Sequence, residues 1–170
     1  MGDTSEMQRD SNLVPLSHQH QHALALCVQI GKSFAEVHDT PDVHYWELEI
    51  VHLHDQELAC HFAAEEKLIF PAADRFKELQ QLVDELRIEH TLLRRNVENA
   101  RKRQFRVTDL QVFTAMLSEH IRKEERILFQ DLQHSLPEEE LVHLGQELNR
   151  YFQENRALGA GGTNSSSSQP

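Results

Sequence analysis

Residues that mark several common classes of small protein are scarce in this sequence. Its 170 residues include only two Cys, six Gly and five Pro. Cys27 and Cys60 do not form a CxxC pair, so the sequence lacks the pattern of a zinc ribbon, a thioredoxin-type motif or a disulfide framework. The hydrophobic content of 39% is low for a globular protein, but it suffices for an all-helical protein with wide polar faces.

Long apolar runs and an excess of positive charge are also missing. No run approaches the length of a membrane span, and residues 1–12 are polar without the apolar segment of a signal peptide. With 28 acidic and 17 basic residues, the formal net charge of −11 disfavours nonspecific binding to nucleic acid or to an anionic membrane. We therefore predict a soluble, cytoplasmic protein that binds neither nucleic acid nor membrane, with its thiols reduced.

Histidine, in contrast, is abundant, with 12 residues. Two segments are near-copies of each other: residues 61–70 read HFAAEEKLIF and residues 120–129 read HIRKEERILF. In a helix, a His and the Glu four residues later lie one turn apart on the same face. An imidazole and a carboxylate so placed can bind a first-row metal ion, and a carboxylate can also bridge two ions. The two copies together predict a dinuclear site, whereas one copy alone would be read as a surface pair.

Apolar residues recur at spacings of three and four, which predicts four long amphipathic helices and a shorter fifth. The first is expected to begin at residues 15–17, with Ser17 as N-cap, and to end near His38. The others are predicted over about residues 43–74, over about 78–102, from a cap at Thr108 or Asp109, and over about 138–155. Short connections predict an antiparallel up-down-up-down four-helix bundle; a coiled-coil dimer is the weaker alternative, because Pro and polar residues interrupt the heptads.

The composition also predicts the domain boundaries. The segment GAGGTNSSSSQP at the C-terminus has no core-forming residues and is typical of a flexible tail. The predicted organisation is a disordered lead-in over residues 1–12, the bundle over 13–135, a C-terminal helix over 136–156 and a disordered tail over 157–170.

The same spacings predict which residues face inward. On the first helix they include Leu16, His20 and Cys27, and on the third Leu79, Leu86 and His90. Beyond the two repeated Glu residues, they are Leu68 and Ala72 on the second helix, and Ile127 or Leu128 and then Asp131 on the fourth.

The positions of the turns predict that one His from each helix lies in a single layer of the core. Residues at the same height on neighbouring antiparallel helices flank a turn that is midway between them. The midpoints of successive His positions fall at residues 40–41, 75–76 and 105, where turns are expected. The predicted metal ligands are His20, His61, His90 and His120 as terminal ligands, and Glu65 and Glu124 as bridging carboxylates.

Mixed His and carboxylate ligation without thiolate suits iron or manganese, and less exclusively zinc. Six protein groups do not fill two six-coordinate ions, so positions remain for a bridging oxide or hydroxide and for a small ligand. On the first helix, His20 lies on the inward stripe and is favoured over His22. Whether His22, His38 or His54 supplies a further ligand is left open. Glu66 and Glu125 are predicted to be solvated or paired with Arg or Lys.

The two His-x3-Glu-Glu turns, joined to single His residues on the first and third helices, resemble a hemerythrin-like (HHE cation-binding) domain over about residues 16–135. The resemblance implies a non-haem di-iron centre in a four-helix bundle. Respiratory hemerythrins carry a further His one turn from the third-helix ligand, where this chain has Leu86 and Arg94. They also carry an Asp five residues after the fourth-helix His, where this chain has Glu125. The chain is therefore closer to the bacterial and regulatory branch, which argues against reversible oxygen carriage.

The predicted cofactor is thus a pair of non-haem iron ions, oxo- or hydroxo-bridged. The predicted function is to bind or react with a small ligand, namely dioxygen, nitric oxide or peroxide, for sensing, buffering or detoxification. The alternatives are a regulatory iron-binding module and a di-iron peroxidase or oxidase, so whether the protein is an enzyme is left open. The predicted partner is the small diatomic or peroxide ligand, and a protein partner is left unknown.

Overall fold

The computed structural model describes residues 9–35 and 41–160, and every regular element within them is helical, as predicted. Three helices are uninterrupted: α1 (Val14–Ser33), α3 (Lys77–Arg101) and α5 (Glu138–Ala160).

Two further helices contain π-helical turns. The first of these, α2, comprises Val43–Leu53, the π turn His54–Leu58, Ala59–Ala64, the π turn Glu65–Ile69, and Phe70–Ala73. The second, α4, comprises Val107–Lys123, the π turn Glu124–Leu128, and Phe129–Ser135. No helix of these described residues is long and apolar enough to cross a membrane.

The ends of α1 differ from the prediction. The helix begins at Val14, so Ser17 lies inside it and the predicted cap at Ser17 is wrong. Pro15 lies in the first turn, where its missing N–H costs nothing because that donor would have no partner within the helix. The helix ends at Ser33, earlier than predicted, and His38 lies outside the described residues.

The chain segment between α3 and α4 is held by a buried carboxylate. Glu47 of α2 is fully buried and accepts a hydrogen bond from the Phe105 N–H at 2.9 Å. Arg103, which has a positive φ of 57°, lies 3.6 Å from the same carboxylate. Asp109, the third residue of α4, accepts the N–H of the N-cap residue Arg106 at 2.7 Å. Arg103 and Arg106, two basic residues of this connection, are therefore each paired with an acidic residue. Helix α4 begins at Val107, so the predicted N-cap at Thr108 or Asp109 is wrong.

The folded region is longer than predicted at both ends. Arg9 lies against α4, where its guanidinium contacts Glu125. Asn12 packs so closely on α5 that a Cβ at Gly145 would lie 2.5 Å from its Oδ1. Residues 9–12 of the predicted lead-in therefore contact the bundle, and α5 continues to Ala160, beyond the predicted helix end. The remaining residues of the predicted lead-in and tail lie outside the described part of the chain.

The inward-facing residues agree with the prediction on α1 and α3, and they shift by one position beyond the π turns. Leu68 and Ala72 are only partly buried, whereas their neighbours Ile69 and Ala73 are fully buried. On α4, Leu128 is buried as expected, but Asp131 is exposed and Leu132 is buried instead. A π turn adds one residue to a helix turn, so every later side chain reaches the core one position further along the sequence.

Two apolar clusters form the core, one on each side of a polar layer. The first contains Leu16 and Leu86, and it packs against Leu148 of α5. The second contains Ala23 and Leu93. Along α1 and along α3, the chain therefore passes from one cluster to the other within two turns. The residue that lies between the clusters is His20 on α1 and His90 on α3.

Candidate metal centre

The polar layer consists of the six predicted ligand residues, contributed by α1, α2, α3 and α4. All six are nearly inaccessible: His20 is 2% exposed, His120 is 1% exposed, and the others are 0% exposed. Polar groups buried this deeply are costly unless they are paired or bind a metal ion. Since they come from four different helices, the fold places them together despite their separation in sequence.

The imidazoles form two pairs. His20 Nε2 lies 2.9 Å from His61 Nε2, and His90 Nε2 lies 3.1 Å from His120 Nε2. Each pair therefore directs two ring nitrogens at a common point. When the other nitrogen of each ring donates a hydrogen bond, the Nε2 atoms of neutral imidazoles present lone pairs to each other. A cation placed between them would accept both.

The two carboxylates lie between the imidazole pairs. Glu65 Oε1 is 3.2 Å from His61 Nε2, and its Oε2 is 3.3 Å from His90 Nε2. Glu124 is placed in the same way. One of its oxygens lies 3.1 Å from His120 Nε2, and the other lies 3.1 Å from His20 Nε2. Each carboxylate thus points one oxygen at each imidazole pair, which is the orientation of a bridging ligand.

The layer therefore contains two overlapping groups that could each hold a metal ion, and both groups include the two carboxylates. In each group the candidate ligand atoms lie within 4.8 Å of one another. The groups are His20, His61, Glu65 and Glu124 on one side, and Glu65, His90, His120 and Glu124 on the other.

The hydrogen bonding of the carboxylates tests whether metal ions fit this layer. All four oxygens of Glu65 and Glu124 are buried, and none has a hydrogen-bond partner. Each oxygen lies 3.1 to 3.3 Å from the Nε2 of an imidazole. Buried carboxylate oxygens without hydrogen bonds are rare in proteins because their desolvation is costly. Metal ions between the nitrogens and oxygens would satisfy both, so the residues fit a pair of ions.

The outer nitrogen of each imidazole has its own acceptor. His20 Nδ1 lies 2.7 Å from Glu125, and His90 Nδ1 lies 2.9 Å from Glu66. The second Glu of each repeat therefore holds the single His of a neighbouring helix. Such contacts fix the tautomer and the orientation of an imidazole ligand and leave its other nitrogen for the metal.

His61 and His120, the His residues of the two repeats, are held by Gln19 and Glu89. Gln19 directly precedes His20, and Glu89 directly precedes His90. His61 Nδ1 lies 2.8 Å from Gln19 Oε1, and His120 Nδ1 lies 2.9 Å from Glu89 Oε2. These four acceptors were missed as site residues in the sequence. Glu66 and Glu125 carried a signal, because the second Glu recurs in both repeats. Gln19 and Glu89 carried a weaker one, since each directly precedes a single His.

Three of the four acceptors are themselves paired with cations. Arg9 contacts Glu125 at 2.5 Å, Arg94 contacts Glu66 at 2.7 Å, and Lys123 contacts Glu89 at 2.5 Å. Glu66 and Glu125 were predicted to be solvated or paired with Arg or Lys on a neighbouring turn; they do pair with Arg, but from α3 and from the N-terminal segment. The same two carboxylates also reach imidazoles in the layer, which was not predicted.

Aromatic rings enclose the imidazoles. Phe62 stacks on His90 with a centroid separation of 4.2 Å, and Phe70, the last residue of the first repeat, lies 5.2 Å from the same ring. Phe129, the last residue of the second repeat, stacks on His20 at 5.7 Å. These rings exclude water from the layer and limit the rotation of the imidazoles.

The charges in the layer shift its titrations strongly. Burial disfavours charged imidazolium, but the Glu65 and Glu124 carboxylates outweigh it and raise the pKa of His20 to about 9, that of His90 to about 9 and that of His120 to about 10. Burial and mutual repulsion disfavour charged carboxylates, yet the imidazoles lower the pKa of Glu65 to about 2 and that of Glu124 well below its usual value. Without metal, the layer therefore holds protons that metal binding must displace.

The two buried carboxylates, Glu65 and Glu124, coincide with the starts of two π turns. In each, the N–H of a Phe reaches back to the Glu carbonyl: Phe70 to Glu65, and Phe129 to Glu124. Pro71 directly follows Phe70 but is not the cause of the π turn, because the corresponding residue of α4 is Gln130 and the same turn forms there. The repeated sequence thus produces a repeated local structure at the site.

The other histidines among the described residues lie outside the layer. His22 is exposed and contacts Glu57 at 2.8 Å, and His54 contacts its neighbour Asp55 at 3.0 Å. Neither belongs to a group of converging ligand atoms. Of the positions one turn from the third-helix His, Leu86 is buried in the first apolar cluster and Arg94 pairs with Glu66.

The fold and the layer define a class: a helical bundle with a buried His and carboxylate cluster that could bind metal. A model of the family described as hemerythrin HHE cation binding domain matches residues 13–132. The match covers most of the chain, so this protein belongs to the hemerythrin family, as its repeats suggested. A search of curated proteins found no match, and neither did a search of solved structures.

Proposed function

We propose that the layer binds two non-haem iron ions and that the protein uses them to bind or react with a small ligand. The observation that carries this proposal is the pair of overlapping ligand groups that share Glu65 and Glu124. A single ion would need only one group. Two carboxylates with one oxygen towards each imidazole pair suit two ions at a short distance.

The donor set favours iron among the metals considered. Each ion would receive two imidazole nitrogens and two carboxylate oxygens from the protein, and no thiolate. This mixture suits iron and manganese, and zinc less exclusively. An octahedral ion with four protein ligands keeps two open positions, so two bound irons supply redox chemistry together with room for dioxygen, nitric oxide or peroxide.

The chain's own groups hold this centre in place and keep it dry. Glu125, Glu66, Glu89 and Gln19 fix the outer nitrogens of the four imidazoles, and the Phe rings stack against the inner layer. Because the layer is closed to bulk water, a small ligand would react in a site where competing hydrolysis and proton exchange are restricted. Sensing, buffering and detoxification all agree with this arrangement.

A regulatory iron-binding module is the second candidate, and the two buried carboxylates of the polar layer favour it. Removing the ions leaves four carboxylate oxygens without hydrogen bonds in the core. Folding would then depend on iron supply, and a partner could recognise the difference. A protein that unfolds on chelation and shows no ligand-dependent spectrum would support this candidate, whereas sustained turnover of peroxide would support an enzyme.

We also propose that α1 to α4 run alternately up and down. One His from each helix lies in a single layer, and the chain connects successive helices by short segments. Neighbouring helices that reach the same layer from a short connection must run in opposite directions.

The test is metal analysis of the full chain with a visible spectrum. We expect about two irons per chain and the near-ultraviolet bands of an oxo- or hydroxo-bridged pair. His90→Ala should abolish this stoichiometry, because it removes a ligand at the centre of the layer. The exposed His52 provides the matched control, and His52→Ala should keep both irons. One zinc per chain, or no metal after expression in iron-rich medium, would exclude the di-iron proposal.

A further inference from the structure

The ligands and their outer acceptors occupy corresponding positions in the two halves of the layer, and one of the acceptors differs in its chemistry. In each half, the residue before the single His accepts a hydrogen bond from the repeated His. In one half this acceptor is Gln19, whose Oε1 lies 2.8 Å from His61 Nδ1. In the other half it is Glu89, whose Oε2 lies 2.9 Å from His120 Nδ1. An uncharged amide therefore takes the place that a carboxylate has in the second half.

The surroundings of the two acceptors enlarge this difference. The second oxygen of Glu89 contacts Lys123 Nζ at 2.5 Å, so the acceptor is fixed by an ion pair. Gln19 instead lines a surface cavity of about 460 Å³, together with His22 and Glu57. The His61 side of the layer is thus separated from an open cavity by one neutral side chain.

The hydrogen bond to an imidazole affects how well its other nitrogen binds metal. A carboxylate acceptor withdraws the Nδ1 proton more strongly than an amide and makes the imidazole a better donor at Nε2. A fixed acceptor also holds the ring in its ligating orientation. Both effects favour the ion held by His90 and His120 over the ion held by His20 and His61.

We propose that Gln19 makes the His20/His61 position the weaker and faster-exchanging of the two metal positions, while Glu89 makes the His90/His120 position the tighter one. This inference rests on the proposed dinuclear site. The cavity beside Gln19 is then the side from which an ion or a small ligand enters and leaves.

The first experiment titrates metal-free, full-length protein with Co²⁺ and follows heat and visible absorption. The wild type should bind two ions in steps whose affinities differ by about tenfold or more, the usual effect of an outer hydrogen-bond partner. His61→Ala should remove the weaker step, and His120→Ala the tighter one. Circular dichroism of each variant checks that it is folded.

The second experiment exchanges the two acceptors. Gln19→Glu should strengthen the weaker step, and Glu89→Gln should weaken the tighter step by about tenfold or more. The double variant Gln19→Glu/Glu89→Gln is the matched control, because it has the composition and formal charge of the wild type. It should lower the ratio of the two binding constants by about tenfold or more.

A kinetic measurement tests the role of the cavity. When excess chelator removes Co²⁺ from the loaded protein, we expect a fast phase from the His20/His61 position and a slower phase from the other. Gln19→Glu should slow the fast phase and leave the slow phase unchanged.

The outcomes separate this inference from the proposed function. Two equal steps in the wild type, or an unchanged ratio in the double variant, would overturn the assignment to Gln19 while two ions still bind. Binding of fewer than two ions by the wild type under all conditions would instead overturn the dinuclear site itself.

Discussion

Glu125 shows how a single residue connects the site to the rest of the molecule. Its Oε1 lies 2.7 Å from His20 Nδ1, and its Oε2 contacts Arg9 at 2.5 Å. Burial disfavours its charged form, but His20 and Arg9 lower the pKa of the Glu125 carboxyl to about 2. The N-terminal segment, α4 and α1 therefore meet at one carboxylate that directly supports a candidate metal ligand.

We expect Glu125→Gln to weaken metal binding by about 10- to 100-fold, since the amide loses the ion pair with Arg9 and holds His20 less firmly. The measurement is competition with a chelator of known affinity. Glu119→Gln on the same helix is the control. Glu119 is exposed and pairs with Arg122 at 3.3 Å, so this variant also loses an ion pair with an arginine. Equal affinity in the two variants would contradict a supporting role for Glu125.

The π turns explain, at the level of the helix, how two consecutive Glu residues can both serve the site. In a regular helix, successive side chains differ in direction by about 100°. A π turn is wound less tightly, so Glu124 and Glu125 face more nearly the same way. One then lies inside the layer, and the other reaches the imidazole of the neighbouring helix. The same holds for Glu65 and Glu66.

Deleting the exposed Arg126 should remove the π turn of α4 without unfolding the bundle. After the deletion, Leu128 and Phe129 would lie three and four residues from Glu124, which continues a regular helical stripe. We expect the helical circular dichroism to be kept and metal affinity to fall at least about tenfold, because Glu125 turns away from His20. Deleting the exposed Gln153 of α5, a helix that contributes no residue to the layer, is the control. Unchanged metal affinity in the Arg126 deletion would show that the turn does not position the site.

The same turns mark where prediction from sequence succeeded and where it failed. On the uninterrupted α3, a period of 3.6 residues placed Leu79, Leu86 and His90 correctly in the core. Beyond Glu65 and Glu124, the same period was off by one residue at Ala72 and Asp131, because periodicity cannot reveal an added residue in a turn. The outer acceptors escaped prediction for a related reason: a residue next to a ligand lies off the inward stripe, and only the fold shows which helix it reaches.

At the scale of the whole molecule, α5 completes the core that the family region leaves open. The family match ends at residue 132, and Leu148 and Phe152 of α5 are buried in the first apolar cluster beyond that boundary. Lys67 also lies over the Tyr151 ring at 5.1 Å, which fixes α5 against α2. The predicted cytoplasmic location, the lack of nucleic-acid binding and the small ligand remain predictions.

Metal binding and global stability should be linked through protons. Without metal, His20 and His90 have a pKa raised to about 9, and His120 one raised to about 10. Each raised value contributes stability that is fully present below about pH 6.5 and is lost as the pH rises through about 9 to 10. The lowered pKa of Glu65, about 2, contributes stability above about pH 4.5 that is lost only near pH 2. The metal-free protein should therefore become less stable between about pH 6.5 and 9.

The metal-loaded protein should not share this loss of stability, because its ligating imidazoles carry no proton that rising pH could remove. Metal affinity increases over the same range, since fewer protons must be displaced from the metal-free layer. We expect the difference in unfolding temperature between loaded and metal-free protein to widen steadily from about pH 6.5 to 9. Thermal scans of both forms in buffers of constant ionic strength measure it. His52→Ala should show the same widening as the wild type, because His52 is exposed and outside the layer. A difference that stays constant over this range would mean that metal binding does not displace the protons held by these imidazoles.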